Sequence, residues 1–476
     1  MSSTLTAPVR PATATTSRLR PQPLLAVVAV AFAIVQFVVV TPRIYLGWDE
    51  AVYLSQVAPG VPPMVMTAPR AFGTVLLAAP AALFTSSVAV IRLYFMALSG
   101  LGVFLAYRPW LRAGRPLTVP AAALVFCSLW VSIFYGNEVM PNVATACCAV
   151  AAVGYFRAAD TWPTRGALVA AFGLMALIRP LDALWIALPL GPAALLHRSW
   201  RRPGIFAAVA LGLAVGWVPW IVESYLRFGG PLARYRLIDA ENGNGLHVVL
   251  LRQLQGFSAG TIQCMPRAAG CGAVGFAGVF AWTLLGGLTA LALWRSRRPE
   301  TVLAVGVALA FAAPYLLCTG IANPRFLLPS YALLALAAAA ALADLARAHA
   351  AGPAVAGIVL GIFVAGQLGT AAAVVRHNQR LRLRQTQVAA QLHRLGIRPP
   401  CVVYGSGAAA IGYATGCTAR PILHGLPRTP ARTLTALPGG VQVVVLGHKP
   451  LIWPGWHRLQ GLPGHHWYAY VRPMRR

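Results

Sequence analysis

A run of roughly 17–25 apolar residues is long enough to cross a bilayer, and this chain repeats such runs from near its start to about residue 375. They fall at about 24–41, 89–107, 118–135, 141–156, 166–178, 181–196, 205–221, 274–294, 301–319, 326–343 and 354–375, about eleven in all. Composition agrees: charged residues are 10% of the 476 and hydrophobic ones 58%, against roughly 25% charged in a soluble domain. The fold class this predicts is an α-helical polytopic membrane protein of about eleven transmembrane helices. The formal charge of +29 would suggest a nucleic-acid partner in a soluble chain. Here much of the arginine lies in short loops between apolar runs, where it sets topology, and no nucleic-acid partner is expected.

The basic loops are Arg108/Arg112/Arg115, Arg157/Arg165, Arg198/Arg201/Arg202, Arg295/Arg297/Arg298 and Arg347. They share a side with the basic tail 1–23 only if the short, proline-interrupted run 72–84 does not span. That run is therefore predicted to be interfacial or re-entrant, and the basic loops cytoplasmic with the tail 1–23, which reads as disordered. The transmembrane domain is 24–375, with external loops 42–88 and 222–273. A basic helical connector, 376–400, leads to a small α/β domain over 401–476. Its β-like runs are Cys401–Tyr404, Val441–Leu446 and Trp467–Val471, with a helix around Ala408–Thr415, and parity makes it extracytoplasmic. Cys264/Cys271 and Cys401/Cys417 are local pairs that an oxidising compartment could join. The absence of acids after Asp344 suits contact with membrane lipid headgroups or another anionic surface.

Only 10 Asp and Glu occur in the chain. Seven of them, Asp49, Glu50, Glu138, Asp182, Glu223, Asp239 and Glu241, fall on the predicted external side. Polar groups at membrane depth are costly and usually functional, which makes the pair Asp49-Glu50, just after the first span, the leading catalytic candidate. Asp49 is read as a general base, with Glu50 supporting it or positioning an acceptor. Arg70 and Arg325 are candidate phosphate ligands, since a guanidinium matches phosphate oxygens with paired donors. Snorkelling is the bland alternative for both. Glu138, Asn142, Arg179 and Asp182 form a supporting polar set, in which Asn142 also suits a helix N-terminus and Arg179–Asp182 a structural ion pair. His448, His457, His465 and His466 have no carboxylate beside them, so no metal ligands are assigned.

The order of these motifs resembles the C-type (GT-C) superfamily of polytopic glycosyltransferases, which includes protein O-mannosyltransferases and aminoarabinose transferases of the ArnT type. The resemblance rests on Gly47-Trp48-Asp49-Glu50, Ala68-Pro69-Arg70-Ala71-Phe72-Gly73, the turn Glu138–Asn142, Ile178-Arg179-Pro180 and Asn323-Pro324-Arg325-Phe326, over about residues 24–345. It implies a polyprenyl-phosphate-sugar donor, an extracytoplasmic acceptor (lipid, glycan or protein) and a catalytic acid at Asp49. Many relatives carry Asp where Asn142 stands. The resemblance leaves a divalent metal open, because some members use one and others do not. The alternative functions are a transporter or lipid flippase, and a non-catalytic scaffold for envelope assembly. A transporter would favour ionisable groups in mid-span and repeated halves, and neither is evident in the sequence.

Overall fold

A computed structural model describes residues 21–112, 117–260, 262, 275–296, 298–422, 432–450, 453–462 and 467–472. Each of the eleven apolar segments is helical. Among the described residues seven helices are long and apolar enough to cross a membrane, or eight if the bent pair Thr118–Ser128 and Trp130–Gly136 counts as one span. The remaining three segments are the helices Pro141–Ala158, Trp162–Ile178 and Pro180–Leu196. They are shorter, or carry polar residues such as Asn142, Thr145 and Arg157, so the count of eleven spans is not established.

The bent pair turns through 76°. A bend frees backbone groups that hydrocarbon cannot satisfy. Here the Trp130 amide donates to Gln367 Oε1 of the neighbouring helix at 3.1 Å. Close helix packing comes from small residues. On the helix Pro203–Phe228, a Cβ added at Gly216 would lie 2.4 Å from the Gly173 carbonyl, so only glycine lets the two backbones meet.

The predicted interfacial run forms the helix Gly73–Ala82, ten residues long. That is about 15 Å, half of a hydrocarbon core of about 30 Å. Its start is pressed against another helix end, where a Cβ at Gly73 would come within 2.4 Å of the Leu177 carbonyl oxygen.

The basic turns gather at one end of the bundle. Arg157 donates to the Pro109 carbonyl at 3.1 Å, Arg202 pairs with Asp160, and Trp110, Arg298, Glu300 and Asp344 line one small cavity. The last span runs straight into the basic connector as one helix, Gly352–Arg394, of 43 residues. At about 1.5 Å per residue it is roughly twice as long as a bilayer core is thick.

That helix delivers the chain to a five-stranded sheet of order β2-β1-β3-β5-β4. The strands are β1 (Cys401–Gly405), β2 (Thr418–Pro421), β3 (Gln442–Gly447), β4 (His457–Leu459) and β5 (Tyr468–Val471). β1 pairs in parallel with β2 and β3, and β5 runs antiparallel to β3 and β4. The expected strands and the helix Ala408–Thr415 are present; β2 and β4 are additions. A disulfide joins Cys401 to Cys417. Cys264, Cys271, His465 and His466 lie outside the described residues. The domain rests on the acidic end of the bundle, where Tyr413 donates to the Ser86 carbonyl at 3.3 Å.

Candidate active site

The pair Asp49-Glu50 opens a short helix, Trp48–Leu54. Acids are favoured in a first helical turn by the helix dipole, and adjacent residues on a helix point in different directions. Here the two carboxylates have entirely different surroundings.

Asp49 is shared between two arginines from distant parts of the chain. Its Oδ1 lies 2.5 Å from Arg70 Nη2 and its Oδ2 lies 3.1 Å from Arg325 Nη2. Burial alone would raise this carboxyl, but the two guanidiniums outweigh it and hold the group below the usual carboxylate range. The Asp49 side chain keeps 26% of its exposure, so it is reachable. Arg70 also donates to Thr67, while its Nε is buried with no acceptor among the described residues. The guanidinium of Arg325 lies 5.4 Å from the Tyr135 ring and 5.7 Å from that of Phe326.

Glu50 is closed in. Its Oε2 accepts from the Gly47 amide at 2.8 Å, Arg92 at 2.9 Å and Arg382 at 3.2 Å, and its Oε1 accepts from the Val139 amide at 2.9 Å. Burial pushes this carboxyl up, yet Arg92, Arg382 and the Gly47 amide carry it below its ordinary value. Arg92 is fully buried and also donates to the carbonyls of Ile44, Tyr45 and Asn137, at 2.9–3.0 Å. Arg382 reaches Glu138 at 2.6 Å. Burial raises the Glu138 carboxyl to about 7, with Arg382 opposing and Glu50 adding to the rise. Asn142 donates weakly to the Arg325 carbonyl at 3.4 Å. Arg179 pairs with Asp182 at 2.7 Å, donates to Tyr315 at 3.0 Å and lies 5.1 Å from the Phe326 ring.

The structure thus brings Asp49, Arg70 and Arg325 into direct contact, joins Glu50 to Glu138, and places Arg179–Asp182 one aromatic ring away. Sequence reasoning missed Arg92 and Arg382. Arg92 is the single charged residue in the apolar helix Val88–Tyr107, a signal that deserved the functional default for intramembrane charges. Arg382 carried no such signal among the many arginines of its connector.

Behind Tyr135 and Glu138 runs a groove of about 320 Å³ lined by Leu98, Leu105, Val143, Ala144, Ala170 and other mostly apolar residues. A divalent cation does not fit the site's donors. Among the described residues no three His, Cys, Asp or Glu side chains converge, and the carboxylates of Asp49, Glu50 and Glu138 each have an arginine partner.

No protein-family model and no curated protein sequence matches the chain. Solved structures do, and what they share with the chain is the fold. Among them are the structures of ArnT from Cupriavidus metallidurans. The apo form aligns with a TM-score of 0.66 at 14% identity, over 94% of this chain and 97% of that one. The form bound to undecaprenyl phosphate aligns with a TM-score of 0.64 at 13% identity, over the same shares of 94% and 97%. The arabinofuranosyltransferase AftD from Mycobacteria aligns with a TM-score of 0.54 at 14% identity, over 94% of this chain and 40% of that one.

Proposed function

We propose that this protein transfers a sugar from a polyprenyl-phosphate-linked donor to an extracytoplasmic acceptor. One observation carries the reading: a partly exposed carboxylate, Asp49, is held by two arginines beside an apolar groove. In this reading the polyprenyl chain occupies the groove and its phosphate takes the guanidiniums of Arg70 and Arg325. Asp49 occupies those donors in the free enzyme, so an arriving phosphate competes for them and releases a carboxylate oxygen. That oxygen accepts the proton of the acceptor hydroxyl as its oxygen bonds to the anomeric carbon. The bond from that carbon to the phosphate oxygen breaks, and its electron pair leaves on polyprenyl phosphate, whose growing charge the two arginines stabilise.

Glu50 holds the acidic helix in place through Gly47, Arg92 and Arg382, Glu138 braces Arg382 from the adjoining turn, and Asn142 supports the backbone of Arg325. Arg179 and Asp182 act as a paired wall. The bound undecaprenyl phosphate of one ArnT structure supports the donor class. Extracytoplasmic placement is supported by the basic turns at the opposite end of the bundle and by the Cys401–Cys417 disulfide.

The test is reconstitution of the full chain in lipid nanodiscs with a panel of radiolabelled polyprenyl-phosphate sugars. Label should leave the lipid for acceptor or water in the wild type and stay on it in Asp49→Asn. Equal release by both proteins would remove Asp49 from catalysis; no release from any donor in the panel would remove the enzyme reading.

A further inference from the structure

Arg325 stands between two cavities of opposite chemistry. Its guanidinium lies 5.4 Å from the ring of Tyr135, which lines the apolar groove, and 5.7 Å from that of Phe326, which lines a cavity of about 440 Å³. The volume lies within the roughly 300–1,000 Å³ typical of small-molecule sites. Its walls include the rings of Trp185, Trp220 and Tyr235 together with Asp182, Asp239 and Asn244. Flat aromatic faces beside a few hydrogen-bond acceptors suit a ring that carries C–H groups on its faces and hydroxyls at its edge.

One polar atom here is an acceptor in need of a donor. Asn244 gives its Nδ2 to Asp239 Oδ1 at 2.7 Å, while its Oδ1 is buried with no donor among the described residues. Such an atom is costly until an O–H or N–H reaches it. Charge narrows the class further. One guanidinium, Arg179, faces two carboxylates in this cavity, and it is spent on Asp182 at 2.7 Å. No cation pairs with Asp239 among the described residues. The balance is therefore negative, the reverse of the Arg70–Arg325 side, and it opposes an anionic occupant.

We propose that this cavity is the acceptor site and that it takes the neutral end of a glycan. The sugar ring lies against Trp185 and Tyr235, and its hydroxyls donate to Asn244 and Asp239. This rests on the reading of Asp49 as the base of a glycosyl transfer. It separates the two substrates by charge: the anionic donor phosphate goes to the arginine pair, and the uncharged acceptor enters from the acidic side.

Equilibrium binding to the full chain in nanodiscs tests this with two probes of equal length, a neutral trisaccharide and a uronic-acid-bearing one. The neutral probe should bind at least about tenfold more tightly, a gap of about 1.4 kcal/mol. Trp185→Ala and Asn244→Ala should each weaken it by about tenfold. Asp239→Asn, which keeps the shape of the side chain, should tighten the uronate probe while leaving the neutral one bound. Equal binding of the two probes, neutral binding unchanged by Trp185→Ala and Asn244→Ala, or binding of a hydroxyl-bearing peptide but neither glycan would each overturn the proposal. The readout is independent of turnover. Transfer without glycan binding removes the glycan site and leaves the enzyme reading intact. Glycan binding without any transfer removes the enzyme reading, and the acceptor role with it.

Discussion

Arg382 donates to Glu138 across 2.6 Å, although 244 positions separate them and Arg382 lies beyond the last apolar run. The same guanidinium reaches Glu50 at 3.2 Å. One side chain from the connector therefore serves as counter-ion to two buried carboxylates at the back of the candidate site. Glu138 is the softer of the two, with its midpoint at about 7. Replacing Arg382 by Gln removes the attraction that opposes this rise, so the midpoint should move up. Infrared difference spectra of the protonated carboxyl band check this: a band titrating near 7 in the wild type, shifted upward in Arg382→Gln and missing in Glu138→Gln.

The same group sets a stability trend. Its folded value of about 7 exceeds the ordinary 4.5, so between those values the folded state retains a proton that the unfolded state has released. Its contribution to stability is complete below 4.5 and is lost as pH rises through about 7. Thermal unfolding in detergent at pH 5 and pH 8 should show a smaller difference in Glu138→Gln than in the wild type.

Asp49 and its arginines should separate base from phosphate ligand. Loss of a general base costs about 10²–10⁴-fold in rate, and Asp49→Asn should fall in that range with donor affinity largely kept. Arg325→Ala should lower turnover by about 10²–10³-fold, as for loss of one preorganised charge donor. Arg325→Lys should recover part of this, because a point charge replaces a fork of donors. Steady-state rates with a saturating donor, alongside direct binding of polyprenyl phosphate, distinguish these outcomes.

Arg92 is fully buried against Glu50. Arg92→Leu takes one of the two counter-ions of Glu50, Arg382 being the other, and leaves the Ile44, Tyr45 and Asn137 carbonyls without their donor, so its cost should approach the about 3–5 kcal/mol of breaking a buried pair. Arg92→Leu should therefore lower folded yield, whereas Arg92→Leu combined with Glu50→Leu should recover part of it. Size-exclusion profiles and thermal unfolding of the three proteins read this out.

Filling the apolar groove should act on the donor alone. Ala144 lines it, and a tryptophan there occupies space needed by an isoprenoid chain. Ala144→Trp should raise the donor KM by about tenfold, equal to about 1.4 kcal/mol, with the acceptor KM near that of the wild type. A donor KM unchanged by this substitution would move the lipid elsewhere.

Much of this arrangement is legible in the sequence, for a physical reason. Hydrocarbon imposes length and apolarity on each span, so segment positions follow from composition, and scarce carboxylates such as Asp49 and Glu50 stand out against that background. The sequence also flags Arg70 and Arg325, because each adjoins a proline that breaks an apolar run. What it hides is pairing across distance. Nothing in the order of residues says that Arg325 and Arg70 meet on the two oxygens of one carboxylate. Arg382 looks like any other member of a basic helix until the fold brings it to Glu138. The span count is obscured for a different cause: helices such as Pro141–Ala158 pack inside the protein and need not match the bilayer's thickness. β2 and β4 escape notice because three- and four-residue strands are too short to show alternation.

The 43-residue helix Gly352–Arg394 carries a consequence for how the protein can be divided. A boundary drawn at residue 375, where hydrophobicity ends, suggests two modules that could be exchanged or deleted independently. Arg382 lies on the far side of that boundary, yet its charge belongs to the site inside the bundle. A chain ended after its last apolar run would keep every residue of the Asp49 clamp and still leave Glu50 and Glu138 facing each other without their shared counter-ion. Swapping the C-terminal domain between relatives would therefore have to preserve a cation at this turn of the helix. The structural unit that holds these carboxylates ends past Arg382, beyond the last apolar run.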